Sequence, residues 1–130
     1  MADESYPEEL RYHPEHDWAR VEGEEATFGI TWYAQDALGE VVFFEAPEVG
    51  SEVSKDSPYT EVESVKAVSD VYAPLSGEIV AVNDAATERP ELINEDPYGE
   101  GWMVRIKVAD GSEADQLLDA GGYRELLGEQ

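Results

Sequence analysis

Cysteine is absent from the 130 residues. That excludes disulfides, thiolate zinc sites, iron–sulfur clusters and a cysteine nucleophile. Lysine is scarce and occurs only as Lys55, Lys66 and Lys107. No apolar run approaches the roughly 20 residues of a membrane span. The densest stretch, Val41-Val42-Phe43-Phe44, reads as a buried strand. The N-terminus, from Met1 to Glu9, lacks a hydrophobic signal core and the Arg-rich character of an organelle presequence, so a cytoplasmic address is expected.

What the chain has in excess is acid. Eight Lys and Arg against 31 Asp and Glu give a formal charge of −23. Phosphate backbones and anionic membranes would be repelled, which argues against nucleic-acid and membrane partners. Two readings of the acidity compete: an acidic partner surface, or adaptation of a halophilic chain to a salt-rich cytoplasm, where self-repulsion is screened. The acids spread from end to end and lysine is rare, which favours the second. With 42% hydrophobic and 10% aromatic residues the composition is globular, and the length suits one domain over 1–130. An acidic extension occupies 1–9 and a helical tail 112–128.

Strands are expected over Asp17–Val21 and Ala26–Thr31, joined by a turn at Glu22-Gly23-Glu24-Glu25. Trp32–Leu38 reads as a short helix with Thr31 as N-cap and Gly39 as its stop. Glu40–Ala46 reads as a strand. Trp102, Val104, Ile106 and Val108 alternate with Met103, Arg105 and Lys107, a half-buried strand. Ser112 reads as the cap of a helix carrying Ala114, Leu117 and Leu118 on one face, interrupted by Gly121-Gly122 before a last turn at Tyr123–Leu127. Trp18 and Trp102 are expected in the core, with Trp32 partly exposed.

Pro47-x-x-Gly50-x-x-Val53 and Pro74-x-x-Gly77-x-x-Val80 repeat one pattern, suggesting two similar units packed face to face. Between Pro58 and Pro74 there is neither Gly nor Pro, and Thr60, Val62, Val65, Val68 and Val71 favour strand over helix. A single strand of that length exceeds the usual limit of about 10 residues. The stretch is therefore expected to fold back at its midpoint, Lys66. Glu61, Glu63 and Asp70 flank that lysine and favour its ammonium form, which disfavours a Schiff-base or general-base role. Lys66 reads as a handle for a modifying enzyme.

His13, Glu15, His16 and Asp17 lie close together, but no third nitrogen ligand exists and no metal is expected. Ser57, Ser64 and Ser69 have no histidine at triad spacing. The glycines form no phosphate-cradling pattern. No catalytic residue is assigned.

Glu63-Ser64-Val65-Lys66-Ala67-Val68-Ser69-Asp70, with Tyr72-Ala73-Pro74-Leu75-Ser76-Gly77-Glu78-Ile79 after it, resembles the lipoyl-attachment region of the glycine cleavage system H protein family. Gly29-Ile30-Thr31, Ala34 to Phe43, Pro47 to Gly50, Pro90 to Asn94, Pro97-Tyr98, Gly101-Trp102-Met103 and Leu117 to Ala120 are similar to the same family, in the same order, from about Leu10 to the end. The resemblance implies a mainly β fold, a barrel-sandwich hybrid of two similar halves with short helices and a C-terminal helical segment, in which Gly50 and Gly77 lie at turns. It implies (R)-lipoate amide-linked to Lys66, with Glu63, Val65, Ala67 and Asp70 as the recognition context.

The implied role is a non-catalytic, monomeric carrier. A pyridoxal-phosphate glycine decarboxylase loads an aminomethyl group, a tetrahydrofolate-dependent aminomethyltransferase removes it, and dihydrolipoyl dehydrogenase restores the disulfide. A lipoate ligase or a lipoyl/octanoyl transferase would attach the arm. The resemblance also implies a cleft that shelters the arm, with His16, Asp17, Tyr33 and Asp70 as lining candidates. The family commonly has His-Glu-Trp where this chain has His16-Asp17-Trp18, and an acidic residue and a histidine where Trp32 and Tyr33 stand. A relay protein passing lipoyl groups onward shares the fold and lysine. Biotin carriers resemble Met-Lys-Met at the tip, and lipoyl domains of 2-oxo-acid dehydrogenases Asp-Lys-Ala, which fit less well.

Overall fold

The computed structural model describes residues 6–128, so the first five residues of the acidic extension lie outside it. The architecture is mainly β. Among the described residues nine strands form two antiparallel sheets: β1 (Arg11–His13), β2 (Asp17–Glu22), β3 (Glu25–Ile30), β4 (Val41–Phe44), β5 (Glu52–Val53), β6 (Pro58–Ser64), β7 (Val68–Tyr72), β8 (Gly77–Val82) and β9 (Val104–Val108). The larger sheet runs β1-β2-β3-β9-β8-β5 and the smaller β4-β6-β7. Both contribute to one core, where Val41, Phe44, Val62 and Val71 meet Phe28, Ile79 and Ile106. Alternation is clearest in β8 and β9, which turn Ile79, Val104 and Ile106 inward, whereas β3 is buried on both faces over most of its length. The two ladders stay separate, so the structure is two sheets on a common core and not a closed barrel.

Helix α1 (Trp32–Leu38) follows β3 directly. Thr31 Oγ1 accepts from the Ala34 N–H at 3.2 Å, and the Gly39 N–H reaches Gln35 O at the other end, so both helix ends are where the sequence places them. Single turns α2 (Asp84–Glu88) and α3 (Leu92–Glu95) fill the β8–β9 connection. Asn94 of α3 ties the frame together: its side-chain amide donates to Gln35 Oε1 and Gly39 O, and its Oδ1 accepts from the Val41 N–H at 2.8 Å.

Several expectations are corrected. Val42 and Phe43 are 47% and 48% exposed, because a register shift between Val41 and Phe43 breaks the alternation on an edge strand. The two Pro-x-x-Gly-x-x-Val segments lie side by side, with Glu52 opposite Glu78 and Val53 opposite Gly77, rather than face to face. Gly50 is in a turn at φ 97°, but Gly77 opens β8, where a β-carbon would stand 2.1 Å from Lys107 O. That glycine is required by close backbone approach, not by a turn. Met103 is buried and Trp102 only partly so, since β9 begins at Val104.

The tail also differs. Asp110, not Ser112, caps a 3-10 turn over Gly111–Gln116. Leu117 and Leu118 are extended, and Leu118 bridges Tyr12 in both hydrogen-bonding directions at 2.8 Å. Gly121 and Gly122 lie within α4 (Ala120–Gly128), whose first turn is held by the Asp119 carboxylate accepting from the Gly122 N–H. α4 packs Tyr123 flat on Tyr12, ring centroids 4.8 Å apart, in a second cluster with Leu10, Trp18 and Tyr98.

Candidate functional site: a lysine hairpin beside a histidine-floored groove

Strands β6 and β7 pair from Pro58↔Tyr72 to Glu63↔Val68 and turn over at Val65-Lys66-Ala67. Lys66 is therefore at the hairpin tip, as the absence of Gly and Pro and the run of β-branched residues predict. The turn is organised by Ser64. Its N–H donates to Ala67 O at 2.8 Å, and its half-hidden Oγ accepts from the Ala67 N–H at 3.1 Å and the Lys66 N–H at 3.3 Å. The Val65 N–H donates to Glu40 O, which pins the tip to the start of β4. Sequence reasoning passed over Ser64 except to exclude a triad; its place one residue before an exposed turn is the signal for a side-chain-to-backbone bond.

Lys66 is exposed and forms no ion pair among the described residues. Its stem lies across the C-cap of α1: a β-carbon on Gly39, whose φ is 86°, would stand 3.5 Å from Lys66 Cε. The ε-amine is thus open to an acylating enzyme while its stem rests on a fixed surface. Val65 is 69% exposed beside it, and Glu63, Ala67 and Asp70 are exposed along the hairpin, Asp70 opposite Glu61.

Two depressions border the C-terminal end of α1, one at Gly39 and one at Leu38. One of about 340 Å³ is lined by Asp36, Gly39, Glu40, Glu91, Asn94 and Glu95. The other, of about 300 Å³, is lined by one carboxylate, Glu15, and by His16, Tyr33, Leu38, Ala67 and Val68 among others. The second thus carries more hydrocarbon and two aromatic rings; His16 and Tyr33 are 4.6 Å apart, centroid to centroid. Of the four cleft candidates, His16 and Tyr33 line it. Asp17 does not: it is 1% exposed, beneath the surface, near the Tyr72 backbone N–H, with Oδ2 lacking any partner. Burial holds its carboxyl well above the usual range. Asp70 stands on the exposed hairpin face outside the groove lining.

The two histidines of the β1–β2 turn serve different partners. His13 Nδ1 accepts from the Glu15 N–H at 3.0 Å, so its Nε2–H donates to Asp56 Oδ1 at 2.6 Å. His16 has φ 76° and its Nδ1 lies 2.7 Å from the Tyr123 hydroxyl of α4. Burial lowers its pKa, which keeps the ring neutral near pH 7. No run of residues around His16 signals Tyr123, 107 positions away.

Residues 10–130 match the family described as Glycine cleavage H-protein. A glycine cleavage system H protein of Geobacillus kaustophilus is 53% identical, over 95% of this chain and 97% of the relative. One of Thermus thermophilus is 55% identical over 93% and 94%. A probable glycine cleavage system H protein of Haloarcula marismortui is 53% identical over 93% and 95%. The crystal structure of a glycine cleavage system H protein from Mycobacterium marinum superposes with a TM-score of 0.87 at 40% identity, covering 95% of this chain and 99% of that one.

Proposed function

The chain belongs to the glycine cleavage H-protein family, and from that premise we propose that Lys66 is the residue to which lipoate is amide-linked. The chain is the lipoyl-bearing shuttle of the glycine cleavage system. The observation that carries the assignment to Lys66 is its place: an exposed amine, without an ion pair among the described residues, at the tip of a hairpin whose turn is fixed by Ser64 and Glu40. Lys55 makes an ion pair with Asp56 at 3.2 Å, and Lys107 is in mid-strand on β9. Neither offers a comparable tip.

When bound, the lipoyl group supplies the disulfide that takes up the aminomethyl group together with two electrons. The chain's own residues do the rest. Gly39 and the α1 C-cap support the lysine stem, the groove floored by His16 and Tyr33 offers apolar surface to an acyl chain, and Glu63, Val65, Ala67 and Asp70 present the tip to the attaching enzyme. An apolar arm is better accommodated there than in the carboxylate-lined depression, since alkyl carbon prefers apolar walls and carboxylates prefer water. Shelter in the groove would limit hydrolysis of the cargo, and the covalent tether would keep it at high effective concentration near each enzyme.

The partners in this reading are the pyridoxal-phosphate glycine decarboxylase, the tetrahydrofolate-dependent aminomethyltransferase, dihydrolipoyl dehydrogenase and a lipoate ligase or lipoyl/octanoyl transferase. The carrier itself is non-catalytic, monomeric, a single domain and cytoplasmic. No helix among the described residues is long and apolar enough to cross a membrane. The charge of −23 and the similarity to a Haloarcula relative support the salt-adapted reading. The test is glycine-dependent bicarbonate exchange with the decarboxylase: the lipoylated chain should support it and the Lys66→Arg chain should not. A lipoylated chain without exchange would point to the relay role.

A further inference from the structure

Thr31, Tyr123 and His16 form a chain of polar contacts that joins the N-cap of α1 to α4 and to the turn before β2. Thr31 Oγ1 lies 2.8 Å from the Tyr123 hydroxyl, which lies 2.7 Å from His16 Nδ1. The direction of these bonds follows from donor accounting. Thr31 Oγ1 already accepts from the Ala34 N–H. The Thr31 side chain is fully buried, and among the described residues the one acceptor oxygen bonded to its hydroxyl is that of Tyr123. A buried hydroxyl left without an acceptor is costly, because it has lost its water and gained nothing in return, so Thr31 donates to Tyr123. Tyr123 then donates its own proton to His16 Nδ1, which must be the bare nitrogen. The ring proton is left on Nε2, which has no partner among the described residues, on a side chain that lines the groove.

We propose that Tyr123, a positioning residue on the C-terminal helix, fixes His16 as an Nε2–H donor facing the groove, where it binds the amide carbonyl of an acyl-lysine arm on Lys66. The contact with the arm rests on Lys66 bearing that arm; the tautomer does not. An amide carbonyl is the one strong acceptor that acylation of Lys66 creates close to the protein surface. Lys66 crosses Gly39, and the adjoining residues Leu38 and Ala67 both line this groove. Burial lowers the His16 pKa, so a neutral ring that donates from one nitrogen only is the form present near pH 7. The left-handed backbone at His16, φ 76°, is unusual for a residue other than glycine and holds the ring against Tyr33 and Tyr123.

The test is long-range nitrogen–proton NMR on the histidine-labelled full chain, before and after acylation. In the unmodified protein, the ratio of the Nε2–H to the Nδ1–H form of His16 should exceed that of a histidine in a short peptide by about twofold to tenfold, the factor that one net hydrogen bond delivers. In Tyr123→Phe the ratio should relax toward that of a histidine in a short peptide, while Thr31→Ser should leave it unchanged. A His16 bearing its proton on Nδ1 in the wild-type spectrum would overturn the proposal, and this result needs no variant to fold. In protein whose intact mass shows one acyl unit on Lys66, the His16 Nε2–H signal should shift, and Lys66→Arg carried through the same reaction should show no shift. Acylation without a shift overturns the arm contact. Failure to acylate Lys66 removes the attachment reading and the arm contact with it, yet leaves the tautomer result standing.

Discussion

Lys66 Cε lies where a β-carbon on Gly39 would touch it at 3.5 Å, so the attachment side chain rests on the stop of the helix that follows β3. The α1 C-cap therefore has two tasks: its φ of 86° ends the helix, and its missing side chain leaves a seat for the lysine stem. Gly39→Ala should destabilise the fold by about 1–3 kcal/mol, the cost of holding a side-chain-bearing residue in that backbone region. Chemical denaturation checks the stability, and a slower acylation of Lys66 at equal folded fraction checks the seat.

Ser64 is the second support of the tip. Ser64→Ala removes the acceptor of two turn N–H groups, a loss of about 1 kcal/mol locally. Amide exchange at Lys66 and Ala67 should quicken by several-fold while the β6–β7 ladder stays protected. Acylation should show a raised KM with kcat little changed, because the amine itself is untouched.

The strands flanking the tip were legible because β-branched residues and the lack of Gly and Pro leave a hairpin as the one economical solution over Pro58–Pro74. Helix α1 was legible because both caps are local chemistry, Thr31 at one end and Gly39 at the other. The tail was not. Ala114, Leu117 and Leu118 have helical spacing, but pairing of Leu118 with Tyr12 holds the two leucines extended, a long-range bond that outweighs propensity. The glycines at 121 and 122 stay helical because Asp119 caps that turn and Tyr123 anchors it on Tyr12. The family resemblance makes Asp17 a cleft candidate, but it begins β2, whose first three residues are all buried, and its carboxyl lies beneath the surface.

That buried carboxyl makes a pH prediction. Its folded pKa is raised above the unfolded value, so the folded state holds the proton more tightly. The resulting stability is fully present below the unfolded pKa of about 4 and is lost as pH rises through the folded value. Asp17→Asn, with nothing to ionise, should gain relative stability over the wild type as pH climbs from about 4 toward neutrality. Thermal unfolding across that range checks it; parallel curves for the two proteins would contradict it.

Asp56 behaves in the opposite sense. The His13 hydrogen bond at 2.6 Å, helped by Lys55, lowers its pKa. Its stabilising effect is present above the unfolded pKa and fades as pH falls through the folded one, below about 4. Its backbone is also left-handed, φ 73°. Asp56→Ala loses the bridge and strains the turn, while Asp56→Gly loses only the bridge. The glycine variant should be the more stable of the two by about 1 kcal/mol, read by denaturant unfolding.

Intact-mass and fragment spectra of the chain co-expressed with a lipoate-attaching enzyme bear most directly on the carrier assignment. One lipoyl unit, localised to Lys66 and absent from Lys66→Arg, is the predicted result. A lipoyl unit that persists in Lys66→Arg, or that maps to Lys55 or Lys107, would contradict it.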